Sequence, residues 1–124
     1  MARVLVVDDS TFQRNAVVRE LTAAGHECVT AGNGQEAIDV LSRDHKLGLV
    51  VCDMLMPVMD GAKFLEEIAR QKIPHPPVMM LTANIQEPVR ESLLKLGAVD
   101  VMAKPFKADQ LRAAIDKFSV KKAG

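Results

Sequence analysis

Short apolar runs alternate along this chain with longer stretches in which apolar residues recur every three or four positions. The first run, Val4-Leu5-Val6-Val7, is continuous and rich in β-branched residues, as expected of a strand covered on both faces. From Phe12 to Ala24 the apolar residues Ala16, Val17, Leu21 and Ala24 fall at helical spacing; Ser10 or Thr11 can cap the start and Gly25 the end. Cys28-Val29 reads as a short second strand. Asn33-Gly34-Gln35-Glu36 has the form of a capping box and opens a second helix carried by Ala37, Ile38 and Leu41. Leu47 to Cys52 predicts the third strand, and Asp60 caps a third helix on which Phe64, Leu65 and Ile68 share a face. The stiff connector Pro74-His75-Pro76-Pro77 introduces a fourth strand, Val78 to Leu81. Pro88 suits the first turn of a fourth helix ending near Gly97, with Val89, Leu93 and Leu96 apolar. Val99 to Met102 is the last strand, and Leu111, Ala114, Ile115 and Phe118 mark the last helix.

Five strand–helix units with short connections result. Consecutive parallel strands need right-handed crossovers, so the pattern predicts an α/β fold: a doubly wound, five-stranded parallel sheet with helices on both faces. At 124 residues the chain reads as one domain, residues 1–124, able to bury roughly two-thirds of the surface its unfolded form exposes. Composition adds limits. Sixteen basic and sixteen acidic residues give a formal net charge of zero, which argues against nucleic acid or an anionic membrane recognised by bulk charge. No apolar stretch approaches the roughly 20 residues that span a bilayer, and Met1-Ala2-Arg3 with its short apolar run is too brief for a signal peptide. Cys28 and Cys52 lie in strand-like runs and read as buried free thiols, which points to a cytoplasmic location. The Lys121-Lys122-Ala123-Gly124 tail reads as a natural end or the start of a linker.

In an open sheet of this kind ligands bind outside the carboxyl ends of the strands, where strand order reverses. The first strand ends in Asp8-Asp9, the third in Asp53, the fourth in Thr82-Ala83, and Lys104-Pro105 follows the fifth. Taken singly, Asp8-Asp9 could cap a helix, Thr82 could be one more strand residue and Lys104 a surface lysine. Asp53 has no such local explanation, because a charge directly after Val50-Val51-Cys52 is costly unless something pairs with it. Two carboxylates 4 Å apart repel by about 4 kcal/mol at an effective dielectric near 20, so the cluster needs cations. Lys104 supplies one charge and leaves an excess of two. A hard divalent ion completes the balance, and magnesium fits because it keeps several waters and uses few protein ligands. His26, His45 and His75 fall away from this edge and read as surface residues, so a zinc site is not expected.

Asp8-Asp9, Asp53 in Asp-x-x-x-Pro, Thr82-Ala83 and Lys104-Pro105-Phe106 together resemble the receiver domain of two-component response regulators, nearest in size to the chemotaxis (CheY-like) regulators. The resemblance covers essentially the whole chain. It implies a flavodoxin-like sheet of strand order 2-1-3-4-5 and a signalling switch that catalyses only its own phosphorylation and dephosphorylation. Asp53 would accept a phosphoryl group from a sensor histidine kinase, a phosphotransfer protein or an acyl phosphate. Asp9, Asp53 and the Leu55 carbonyl would hold Mg2+ directly and Asp8 through water. Lys104 would offset phosphoryl charge, Thr82 would donate its hydroxyl, and Ala83 would leave the approach open. The Lys104–Pro105 bond would be cis. Output would pass to a downstream protein or a second copy through the face made by the fourth helix, fifth strand and fifth helix. Met54, Met56 and Met59 read as flexible apolar cover.

Three positions depart from the familiar pattern. Val101 stands where many receivers carry a switch Tyr or Phe, so output is expected to travel through Thr82 and the loop from Ala83 to Glu87 instead. Leu55 and Asn84 flank the position of the attacking water in dephosphorylation, which leaves the phosphoryl lifetime open. Two rival functions share the fold. A flavodoxin-like FMN protein would want a glycine- and hydroxyl-rich phosphate loop and aromatics, whereas Trp and Tyr are absent here. A magnesium phosphohydrolase would carry a second acid two residues after the nucleophile, where this chain has Leu55.

Overall fold

Strand and helix alternate strictly in the computed structural model, which describes residues 2–120. The elements are β1 (Arg3–Val7), α1 (Thr11–Ala23), β2 (Glu27–Ala31), α2 (Gly34–Arg43), β3 (Leu49–Asp53), α3 (Gly61–Arg70), β4 (Val78–Thr82), α4 (Glu87–Lys95), β5 (Asp100–Ala103) and α5 (Ala108–Phe118). The five strands form one parallel sheet of order β2-β1-β3-β4-β5. The tail read as an end or a linker, 121–124, lies outside the described residues.

Local chemistry starts the helices where the sequence predicts. Ser10 Oγ accepts from the Gln13 N–H at 3.2 Å, Asn33 Oδ1 from Glu36 at 2.9 Å, and Asp60 Oδ1 from Lys63 at 2.8 Å. Each satisfies a donor that a helix start leaves unpaired. Glu36 reaches back one residue further than a capping box requires, to the Gly32 N–H at 3.1 Å. Pro88 sits in the first turn of α4, and Gly25, with φ +91°, follows the end of α1.

Some strand limits differ from the sequence pattern. β2 extends beyond Cys28-Val29 because its backbone pairs along all of β1, from Arg3 opposite Glu27 to Val7 opposite Ala31. β3 starts at Leu49, because Gly48 bonds through its N–H to the Arg3 carbonyl and through its own carbonyl to the Val120 N–H.

Alternation of side chains across the strands builds two apolar layers. Leu5, Val7, Val50, Cys52, Val78, Met80 and Val101 pack with α2, α3 and α4 residues, among them Leu41, Phe64, Ile68 and Leu93. Val4, Val6, Leu49, Val51, Met79 and Leu81 pack with Val17 and Leu21 of α1 and with Leu111 and Ile115 of α5. Every residue of β3 and β4 is buried, so a slipped register there would force apolar side chains out of both layers.

Two side-chain expectations change. His26 is a covered residue, its side chain 8% exposed, because the ring lies between the chain start and α5: Nδ1 accepts from the Ala2 N–H at 3.0 Å, and Nε2 is 3.8 Å from Asp116. Cys52 is buried but Cys28 only half so; both are free thiols, pushed up in pKa first by burial. Among the described residues no helix is long and apolar enough to cross a membrane.

The loop from β3 to α3 carries a local cost. Val58 is 83% exposed and has φ +70°, a region that a β-branched side chain disfavours and that its few contacts do not offset. Asn tolerates this conformation. Val58→Asn is therefore expected to stabilise the fold by about 1 kcal/mol in urea unfolding; a lower midpoint with an unchanged slope would contradict the reading.

Candidate functional site

The sheet brings the predicted residues together at its point of reversal. β1 pairs with β2 on one side and β3 on the other, so chain connections leave β1 and β3 in opposite directions and open a crevice at their carboxyl ends. Val7 opposite Cys52 sets Asp8 beside Asp53. Asp53 lies opposite Leu81 in β4, and Thr82 opposite Ala103, immediately before Lys104. Asp8, Asp53 and Thr82, at 3%, 7% and 4% exposure, are the buried polar residues among those described. All three stand at this one edge.

Lys104 Nζ lies 2.7 Å from Asp53 Oδ1 and 3.4 Å from Asp8 Oδ2. It also donates to Gln13 Oε1. Asp8 is held from several sides: its Oδ1 accepts from the Ser10 N–H at 2.9 Å, and its carbonyl accepts from Arg14 Nη1 at 2.8 Å. Thr82 Oγ1 accepts from the Asn84 N–H at 3.1 Å, which leaves its own proton free to be donated. Glycine is required at Gly61, where a Cβ would stand 2.7 Å from the Asp53 carbonyl; the Gly61 N–H bonds to the Met54 carbonyl at 2.8 Å and ties α3 to the end of β3.

Carboxylate oxygens of Asp8, Asp9 and Asp53 all lie within 4.8 Å of one another, with Asp9 exposed. Three carboxylates against one ammonium leave two negative charges, and the donors are all oxygen. That set suits a hard divalent cation rather than a thiophilic one. Burial, the largest cause, raises the Asp53 carboxyl above its usual range; Asp8 pushes the same way, and Lys104 pulls against both.

A cleft of about 340 Å³ collects Asp8, Asp9, Asp53, Leu55, Thr82, Ala83 and Lys104. Leu55 stands at its rim, 74% exposed. Two predicted residues lie elsewhere. Val101 is buried in the layer shared with α4, and Pro105 lines a neighbouring apolar cleft with Phe12, Ala16 and Phe106. The Lys104–Pro105 bond is cis. Met54, Met56 and Met59 are partly buried against the α2–α4 layer, as cover for the loop. Gln13 and Arg14 also reach this edge without a clear sequence signal; the hint of Gln13 is its place three residues after the cap Ser10.

A family model for the response regulator receiver domain matches residues 4–116. The CpxR homolog of Haemophilus influenzae, a transcriptional regulatory protein, is 38% identical over 115 residues, 93% of this chain and 49% of that protein. A protein-glutamate methylesterase/protein-glutamine glutaminase of Archaeoglobus fulgidus is 47% identical over 106 residues, 83% of this chain and 30% of its own. The chemotaxis response regulator CheY4 of Vibrio cholerae superposes with a TM-score of 0.86 at 31% identity, covering 95% of this chain and 98% of the other. The chain spans less than half the length of several curated relatives it matches.

Because folding raises the Asp53 carboxyl, the native state binds this proton more tightly than the unfolded chain does. The resulting penalty is absent below the unfolded carboxyl range, grows as pH rises from there, and is complete once pH passes the folded value. Asp53→Asn removes it. Without divalent metal the variant should be at least as stable as wild type at neutral pH, with the advantage shrinking on acidification. Urea unfolding across pH measures this, and a variant less stable at neutral pH than at acid pH, relative to wild type, contradicts it.

Proposed function

The chain belongs to the family of response regulator receiver domains, and from that membership we propose that Asp53 is its phosphoacceptor, within one receiver domain formed by residues 1–124. The observation that carries this reading is the setting of Asp53: a buried carboxylate at a strand end, 2.7 Å from the Lys104 ammonium and crowded by Asp8. A largely buried carboxylate that faces a second carboxylate and pairs with one lysine is both unfavourable and reactive.

In the transfer an Asp53 oxygen attacks phosphorus and forms the new O–P bond. The bond broken joins phosphorus to the imidazole nitrogen of a donor histidine, or to the acyl oxygen of an acyl phosphate, and the departing group keeps the electron pair. Lys104 offsets charge on the phosphoryl oxygens, and the Thr82 proton turns toward the new group. Ala83 keeps the approach open. Asp9, Asp53 and the Leu55 carbonyl would hold Mg2+ directly, with Asp8 acting through water. When bound, the ion supplies positive charge against the phosphoryl oxygens that Lys104 alone cannot match.

Response regulators work between histidine kinases and downstream targets; here the donor would be a sensor kinase or phosphotransfer protein. The output face would be that of α4, β5 and α5, meeting a downstream protein or a second copy. A buried Val101 cannot swing as an aromatic ring would. Arg90 of α4 instead reaches β5, with Nη1 3.1 Å from the Val101 carbonyl and 3.4 Å from Asp100. Thr82 and the following loop would move α4 relative to that contact. The balanced charge supports neither direct nucleic-acid binding nor membrane insertion, and a cytoplasmic switch acting only on its own phosphoryl group fits best. The comparisons lend no support to the flavin or phosphohydrolase readings.

Incubation with acetyl phosphate and Mg2+, followed by intact-mass measurement, tests the assignment. Wild type should gain one hydroxylamine-sensitive phosphoryl group and Asp53→Asn none; full labelling of the variant would overturn the proposal. Mg2+ should also raise the melting temperature of wild type, since a ligand at a hundredfold excess over its dissociation constant stabilises the fold by about 2.7 kcal/mol. Asp9→Ala should lose most of that shift. Equal shifts would mean that Asp9 is not a ligand.

A further inference from the structure

Gln13 is the neighbour of Lys104 to which the chemistry above gives no part. It is the third residue of α1, and Ser10-x-x-Gln13 has the spacing of a capping box. In such a box the side chain of the third residue reaches back to the N–H of the cap. Here that N–H is already taken, because Ser10 donates it to Asp8 Oδ1 at 2.9 Å. Ser10 Oγ still accepts from the Gln13 N–H at 3.2 Å and fixes the Gln13 backbone. Released from the box, the carboxamide points toward the cleft, and its Oε1 accepts from Lys104 Nζ.

An ammonium has three donors. Those of Lys104 meet Asp53 Oδ1, Asp8 Oδ2 and Gln13 Oε1. The two carboxylates pull from the sheet edge, and Gln13 pulls from the helix across the crevice. Being neutral, Gln13 orients the charge without adding to the negative excess. A lysine stem has large rotamer freedom to lose, so a third, uncharged anchor reduces what the transfer must still order.

We propose that Gln13 is a positioning residue for Lys104, holding the ammonium over the Asp53 oxygen where the phosphoryl group arrives. The inference deepens the phosphoacceptor reading and rests on it. Gln13→Met tests it, because methionine keeps the length and helix-forming stem but removes the acceptor. Initial labelling by acetyl phosphate with Mg2+ should slow about fivefold, the effect of one ordinary net hydrogen bond. In a Lys104→Ala background the same substitution should slow labelling no further, since nothing remains to position. The Lys104 ammonium cross-peak of ¹⁵N-labelled protein, sharp at low temperature in wild type, should broaden in Gln13→Met while the melting temperature stays put. That signal decides the matter where Lys104→Ala labels too slowly to follow.

Labelling of Gln13→Met at the wild-type rate, equal slowing in both backgrounds, or a cross-peak alike in both proteins would overturn the proposal. A wild type that takes up no phosphoryl group would instead overturn the phosphoacceptor reading itself, and this inference with it.

Discussion

The contact between the Lys104 ammonium and the Asp53 carboxylate, 2.7 Å long, is the interaction on which the site depends. Asp53 and Asp8 are both buried, and their negative charges face each other across the crevice between β1 and β3. Among the described residues Lys104 is the cation that contacts both carboxylates, so without it their repulsion would be uncompensated. With Lys104 the balance is partial. The ammonium makes the cluster tolerable and leaves it short of positive charge by two.

The sheet makes this arrangement possible because its strands are held from both sides. Val4 and Val6 face α1 and α5, while Leu5 and Val7 face α2, α3 and α4, so β1 can neither slide nor rotate without exposing a full apolar face. Each fully buried Leu, Val or Ile contributes about 1.5–3 kcal/mol relative to exposure, and β1, β3 and β4 are almost wholly buried. That reserve offsets the repulsion collected at the strand ends. Irregularity is pushed into loops: Leu55 and Val58 are exposed and Val58 has positive φ, beside the strand end that carries Asp53.

The order of elements and the gathering of polar residues at the strand ends were legible in the sequence because both rest on local rules. Continuous short apolar runs and longer period-3.6 patterns separate strands from helices, and Ser10, Asn33 and Asp60 announce helix starts. Asp53 betrayed itself as a charge with no local partner. What the sequence hid is contact between distant residues. Gln13 and Lys104 are 91 positions apart, and nothing in either neighbourhood predicts that the Asp8 side chain displaces Gln13 from its capping role. Arg90 bonds to the edge of β5 only because α4 lies over it. His26 looks like a turn residue until α5 closes over it. The ends of β2 and β3 likewise follow from pairing with β1 and from Gly48 and Val120, not from propensity.

Three carboxylates share this edge, and the proposed nucleophile is one of them, Asp53. Borohydride reduction after treatment with acetyl phosphate and Mg2+ converts an aspartyl phosphate to homoserine, which peptide mapping then locates. Homoserine is expected at position 53, with aspartate retained at positions 8 and 9. Homoserine at position 8 or 9, or at none of the three, would contradict that assignment.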